Sequence, residues 1–176
     1  MMLTEGFRLR QAGMVLLISL VFLLLVSLVG MTSMQGAITQ QKISASLWHR
    51  NQSLQSAESG LRHGESAVRR SFAALPLCQS VVSCAPPQAA FSVVGSGVDP
   101  ISGMTWVALK GGLYGVQFLG PSVGLAHLPP HTQAWVYRVT AVGLSGQVRT
   151  VLESVYARVE EESGARFRRV AWRQLR

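Results

Sequence analysis

Acidic residues are scarce in this chain. Of 176 residues only eight are Asp or Glu, against sixteen Lys or Arg, and the single aspartate is Asp99. So thin a supply leaves little material for chemistry by paired carboxylates. No G-x-S-x-G, H-E-x-x-H, P-loop or Rossmann glycine run occurs. The glycine-rich pieces VGSGV (94–98) and KGGLYG (110–115) lack the strand-to-helix setting of a phosphate cradle. His127 and His131 in HLPPH are the best metal candidates, but the prolines between them exclude an i, i+4 pair on one helical face. Neither a cysteine nor a carboxylate cluster stands nearby to complete a site, so they read as surface-loop histidines. Serines are numerous, yet no His and Asp are arranged to activate one. The expectation is a protein that is not an enzyme and uses no cofactor and no metal.

Cysteine is almost as rare: Cys78 and Cys84, in PLCQSVVSCAPP. Two ligands cannot close a zinc site, and the spacing is not that of a C-x-x-C redox pair. Outside the cytoplasm the natural reading is a short-loop disulfide; inside it, two free thiols.

The charge imbalance gives a formal +8 and a pI near 10.8. Such a balance fits nucleic acid, anionic lipid or an acidic partner. The arginines are dispersed, however, and the densest group (Arg166, Arg168, Arg169, Arg173, Arg176) ends the chain. Neighbours such as Arg168 and Arg169 point to opposite faces of a strand. A solvated strand and tail is favoured over a nucleic-acid site.

No charged residue occurs between Arg10 and Lys42. From Met14 to Met34 the chain is apolar apart from Ser, Thr and Gly, and twenty-one residues make about 30 Å of helix, enough to cross a bilayer core. That is too long for the hydrophobic part of a cleavable secretory signal, about 7–15 residues. Arg8 and Arg10 precede it, which orients a short N-terminus inside and the bulk of the chain outside.

A short basic leader ending in QAG, followed at once by a long apolar helix, resembles the prepilins of type IV pili and type II secretion. The resemblance implies cleavage by a membrane prepilin peptidase between Gly13 and Met14, and N-methylation of Met14. It also implies a helix that serves first as membrane anchor and later as filament core. Major pilins carry glutamate at the fifth mature position; here that residue is Ile18. A carboxylate within a bilayer is costly and is normally kept for a partner. Its absence suits a subunit at the filament tip, with no neighbour ahead of it, and is typical of the PilX-like branch and its secretion-system counterpart.

Helical periodicity continues past the membrane. Leu47, Leu54, Leu61 and Val68 repeat every seven residues, with Ala57 and Gly64 three after Leu54 and Leu61. Gly60 and Gly64 are costly inside a helix, by about 1 kcal/mol each relative to alanine, and close approach of a sheet would be a reason for them. Gly30 and Gly36 either soften the helix near the membrane exit or serve ordinary small-residue packing there. A helix from Met14 to about Phe72 would run to roughly 90 Å. RNQSLQSAESGLRHGESAV resembles the PilX-like pattern at Arg50, Asn51, Gln55, Ala57, Glu58, Leu61, Arg62, Gly64 and Glu65. The bland alternative for Glu58 and Glu65 is solvated charges beside Arg62 and Arg69 at i+4.

Pro76 is expected to end the helix. The periodicity then alternates. FSVV (91–94), MTWVAL (104–109) and LYGVQFL (113–119) are strand candidates, and GPSVGLAHLPPH (120–131) is a loop. AWVYRVTAVG (134–143) sets Trp135, Tyr137, Val139 and Ala141 on one face and Val136, Arg138, Thr140 and Val142 on the other. LSG (144–146) turns into QVRTVLESVYARV (147–159), and EEESG (160–164) turns into ARFRRVAWRQL (165–175). YRVTAVG…VRTVLESVYAR also resembles the PilX-like C-terminal region.

The expected fold is α+β and pilin-like, a long N-terminal helix packed on a C-terminal antiparallel β-meander. Its parts are a leader (1–13), a transmembrane and filament-core helix (14–35), an amphipathic half of that helix (36–75) and a head with a disulfide loop (76–176). Leu47, Leu54, Leu61, Gly64 and Val68 are its expected helix-packing residues. The resemblance implies a minor pilin that helps initiate the pilus at its tip. Its partners would be other minor pilins, the assembly platform, the prepilin peptidase, the membrane and a tip adhesin, with nucleic acid disfavoured. Location would be the inner membrane with the head in the periplasm, then the pilus tip. A minor pseudopilin of type II secretion, or an uncleaved bitopic envelope protein with a ligand-binding head, are the alternatives.

Overall fold

A computed structural model describes residues 6–71, 75–162 and 164–175. Phe72 and Arg176, both named above, lie outside the described residues, as do the side chains of Arg8 and Arg10. The chain divides into two compact units, Met1–Ser46 and Leu47–Arg176. One helix, α1 (Gly6–Ser71), supplies what is described of the first unit and the opening of the second.

In the first unit every side chain from Met14 to Ser46 is exposed. The apolar run is long and apolar enough to cross a membrane and has none of its surface buried within the protein. A helix that keeps leucine and valine on all sides has no polar face to turn to water. The helix passes without a break through Gly30 and Gly36, and nothing lies within 4 Å of where their Cβ atoms would stand.

The second unit is α+β. Among the described residues six strands follow α1: β1 (Gly97–Val98), β2 (Thr105–Leu109), β3 (Gly112–Ser122), β4 (Ala134–Ser145), β5 (Val148–Glu161) and β6 (Gly164–Leu175). They form one antiparallel sheet in chain order, a meander. Short turns join β2 to β3, β4 to β5 and β5 to β6, so each of these strands has its predecessor at hand. Ala57, Leu61 and Val68 of α1 pack on Tyr137, Val139, Ala141, Leu152 and Tyr156.

The opposite face of the sheet is covered as well, which simple alternation in β4 does not reveal. Leu113, Val142 and Val151 bury against Ala90, Met104 and Trp106. Ala134, Ala157 and Val159 bury against Leu125 and Leu128 of the 123–133 loop. Val136 and Thr140, on the face away from the helix, are therefore buried too, whereas Trp135 is exposed.

Several boundaries differ from the expectations. FSVV is not a strand: Gln88–Phe91 is a 3-10 turn, and the residues after it are irregular up to β1. The buried Pro87 opens that turn and Ala90 is its core residue. β3 runs on to Ser122 across a register shift between Phe118 and Gly120, so the loop begins later than 120. Helix α1 is described as far as Ser71, and Leu75, next to Pro76, already lies outside it. Leu47 is 53% exposed and lies outside the packing stripe. The end of the sheet that α1 meets there is the β4–β5 turn, where His49 Nδ1 lies 2.9 Å from Ser145 Oγ.

Candidate functional site: the helix face and the anchored loop

The residues of α1 that meet the sheet are Ser53, Ala57, Gly60, Leu61, Gly64, Glu65 and Val68, all buried, with Leu54 half-buried beside them. Close approach explains the glycines. A Cβ on Gly64 would stand 2.3 Å from Val139 Cγ1, and one on Gly60 2.9 Å from Ala141 Cβ. The sheet reciprocates at Gly143, where a Cβ would stand 1.8 Å from the Ser53 carbonyl oxygen. Sequence reading had not singled out Gly143; glycine inside a strand pattern was the available signal.

The buried polar groups Ser53 and Glu65 of this interface have hydrogen-bond partners, as burial requires. Ser53 Oγ and Thr150 Oγ1 are 2.7 Å apart, and Ser53 Oγ also donates to the Arg50 carbonyl. Glu65 accepts from Ser154 Oγ at 2.9 Å and from Arg169 at both carboxylate oxygens. The hydrogen bond to Glu65 holds the Arg169 guanidinium above its ordinary value, outweighing the opposing effect of burial. Arg69 donates to the Tyr156 hydroxyl and lies over that ring. Glu65 is thus no solvated helix charge beside Arg69: it is buried, and its cation comes from β6. Glu58, by contrast, is exposed, as are Arg50, Asn51, Gln55 and Arg62.

Cys78 and Cys84 are joined by a disulfide, their Cα atoms 5.2 Å apart. Inside the loop Ser80 and Ser83 bond each other through side chain and backbone. The loop is fixed to the sheet face opposite α1. Gln117 Nε2 donates to the carbonyls of Ser83 (2.8 Å) and Ala85 (3.2 Å), and Arg138 donates to that of Cys84. Arg138 is half-buried, and burial lowers its pKa against the raising effect of Glu153, 3.1 Å away. Arg173 reaches the same carboxylate at 2.8 Å. One buried acid serves two cations, and the loop carbonyl accepts a hydrogen bond from Arg138, which offsets part of the desolvation. The loop presents its apex outward, with Val81 89% exposed.

His127 and His131 sit in the 123–133 loop, both in the left-handed backbone region (φ 66° and 63°). Arg168 donates to the His127 carbonyl at 2.6 Å. Among the described residues no three His, Cys, Asp or Glu gather as a metal site would need. A cleft of about 510 Å³ beside β2 and β3 is walled by Leu77, Met104, Val107, Val116 and Phe118, and no charged group lines it.

Gly13 and Met14 lie on α1 at the head of the exposed apolar run, with nothing within 4 Å of a Gly13 Cβ.

No curated protein and no solved structure matches the chain. Residues 12–62 match the family model described as PilX N-terminal. That match runs from Ala12 through the exposed apolar helix to Arg62, on the part of α1 that docks on the sheet, and it does not include the strands. Over this N-terminal region, continuous with the helix that carries an antiparallel meander, the chain is similar to the PilX-like type IV pilins.

Proposed function

We propose that the protein is a minor pilin that helps initiate type IV pilus assembly and stays at the filament tip. The observation that carries this reading is the apolar run from Met14 onward, exposed along its whole length and carrying Ile18 where a repeating subunit would hold an acid. Apolar surface of that extent must be covered by lipid or by other helices. With no carboxylate at that depth, its contacts are by shape and van der Waals packing, and no neighbour's N-terminus is required.

In this reading residues 1–13 are a leader removed by the prepilin peptidase, and Met14 becomes the methylated N-terminus. Residues 14–35 anchor the precursor in the inner membrane and later join the filament core. Residues 36–71 extend the helix within the amphipathic part (36–75), and residues 76–176 form a periplasmic head that reaches the cell surface with the tip. The Cys78–Cys84 disulfide supports an oxidising compartment for the head. Other minor pilins, the assembly platform and a tip adhesin are the partners, and adhesion or twitching motility the downstream roles. The make-up of the head supports the pilus over the secretion apparatus: behind α1 its helical content among the described residues is one 3-10 turn, not a large helical insertion.

The test is assembly itself. Deleting the gene should abolish or sharply reduce surface pili, and the wild-type chain should restore them and co-purify in its membrane form with other minor pilins. A deletion strain with normal pilus number, and a membrane form that purifies alone, would contradict the proposal.

A further inference from the structure

The sheet has two edges of very different kind. β1 is two residues long, a short edge of the sort that exposes little ladder. β6 is twelve residues long, about 40 Å at 3.4 Å per residue, and is paired with β5 on one side only. Among the described residues no backbone hydrogen bond from elsewhere reaches its other side. An unpaired row of that length is a template for another strand.

The side chains of β6 say which strand. It contains four arginines and no acidic residue. Arg168 pairs in register with Ala157 and Arg173 with Glu153, while Arg166 pairs with Val159. All three therefore lie on the sheet face away from α1, whereas Arg169, opposite Tyr156, points to the helix. A register shift beside Val155 carries the run past Val170, so Arg166, Arg168 and Arg173 keep one face. Arg166 and Arg173 remain more than half exposed although each touches a glutamate, and Arg168 meets the His127 carbonyl.

A second copy of this chain is a poor occupant. Two β6 strands aligned along their length would share one ladder with eight arginines and no carboxylate, and like charges facing across a ladder destabilise it. A phosphate backbone is a poor occupant too, because a strand edge offers carbonyl acceptors as well as N–H donors, and phosphates accept only. We propose that β6 is a docking edge for an extended segment of a different protein, added to the sheet as a seventh strand. That segment would carry carboxylates on the face away from α1, opposite Arg166, Arg168 and Arg173. Main-chain hydrogen bonds would supply adhesion, and the arginine row would select the partner and reject self-pairing. This holds whether or not the chain enters a pilus.

The experiment uses the full-length protein in detergent and two soluble probes. Both are capped twelve-residue peptides that alternate threonine or valine with one charged residue, glutamate in the first and lysine in the second. Amide hydrogen exchange read by mass spectrometry should show added protection confined to residues 164–175 with the glutamate peptide and none with the lysine peptide. Binding should weaken as salt is raised, and by at least about tenfold in Arg166→Glu/Arg168→Glu, from two lost pairs. If that variant does not fold, the contrast between the two peptides on the wild type decides alone. Absence of protection over β6 with the glutamate peptide overturns the proposal. Equal protection by both peptides overturns it as well. Protection of β6 by a single-stranded oligonucleotide in place of the glutamate peptide would overturn it in favour of nucleic acid.

Discussion

Arg169 grips Glu65 at two points, Nε to Oε1 at 2.7 Å and the terminal nitrogen to Oε2 at 2.9 Å. The two residues are 104 positions apart, so this bond ties the last strand to the helix across the whole head. Glu65 is almost fully buried, but the Arg169 side chain is 42% exposed, and solvent screens part of the attraction. After that discount, Glu65→Gln should lower the stability of the head by about 1–2 kcal/mol, since a charged bidentate pair becomes a neutral contact. Arg169→Lys should lose part of the same energy, because an ammonium cannot reproduce the fork. Denaturant unfolding of the detergent-solubilised chain measures both. A Glu65→Gln protein as stable as the wild type would show that the pair contributes nothing net.

The second expectation concerns Gly64. Alanine there would gain about 1 kcal/mol of helix propensity. Its Cβ would also fall 2.3 Å from a methyl of Val139, which is fully buried and cannot turn aside. Overpacking costs about 1–3 kcal/mol, so the balance should be a net loss for Gly64→Ala. The sign reverses in a Val139→Ala background, where the added methyl fills vacated space. Thermal unfolding of the two single variants and the double variant supplies the cycle; additive losses would refute the close-packing explanation.

Alkaline pH provides a third. Burial pushes the Tyr137 phenol above its usual value of 10.0, with Glu160 adding to the rise and Arg158 opposing it. The folded state thus holds this proton more tightly than the unfolded chain. The associated stability is intact below the ordinary tyrosine value and is lost as pH rises through the higher folded value. Thermal unfolding between about pH 9 and pH 12 should show that decline, and Tyr137→Phe should flatten it. An unchanged slope in the phenylalanine variant would assign the decline to other groups.

Much of this architecture was legible in the residues. The apolar run, the helical period through Val68, the glycines that admit the sheet and the final three strands all follow from spacing alone. What escaped has identifiable causes. The heptad from Leu47 reads as one stripe, but the sheet ends at the Ser145 turn, and a one-dimensional pattern carries no information on where its partner surface stops. FSVV has strand composition but no neighbouring strand to bond, so the local Pro87-led turn prevails. The buried second face of β4 is covered by loops and a 3-10 turn, which leave no periodic trace. Glu65 resembles any surface helix acid until Arg169, far along the chain, is placed beside it.

The assembly account rests on one covalent event at the head of the exposed helix. Mass spectrometry of the chain taken from membranes and from sheared pili measures it directly. The account predicts a mature N-terminus at Met14 bearing one added methyl group, with Gly13→Val leaving the precursor uncut and absent from pili. A chain that still begins at Met1 or Met2 in bacteria making normal pili would contradict it.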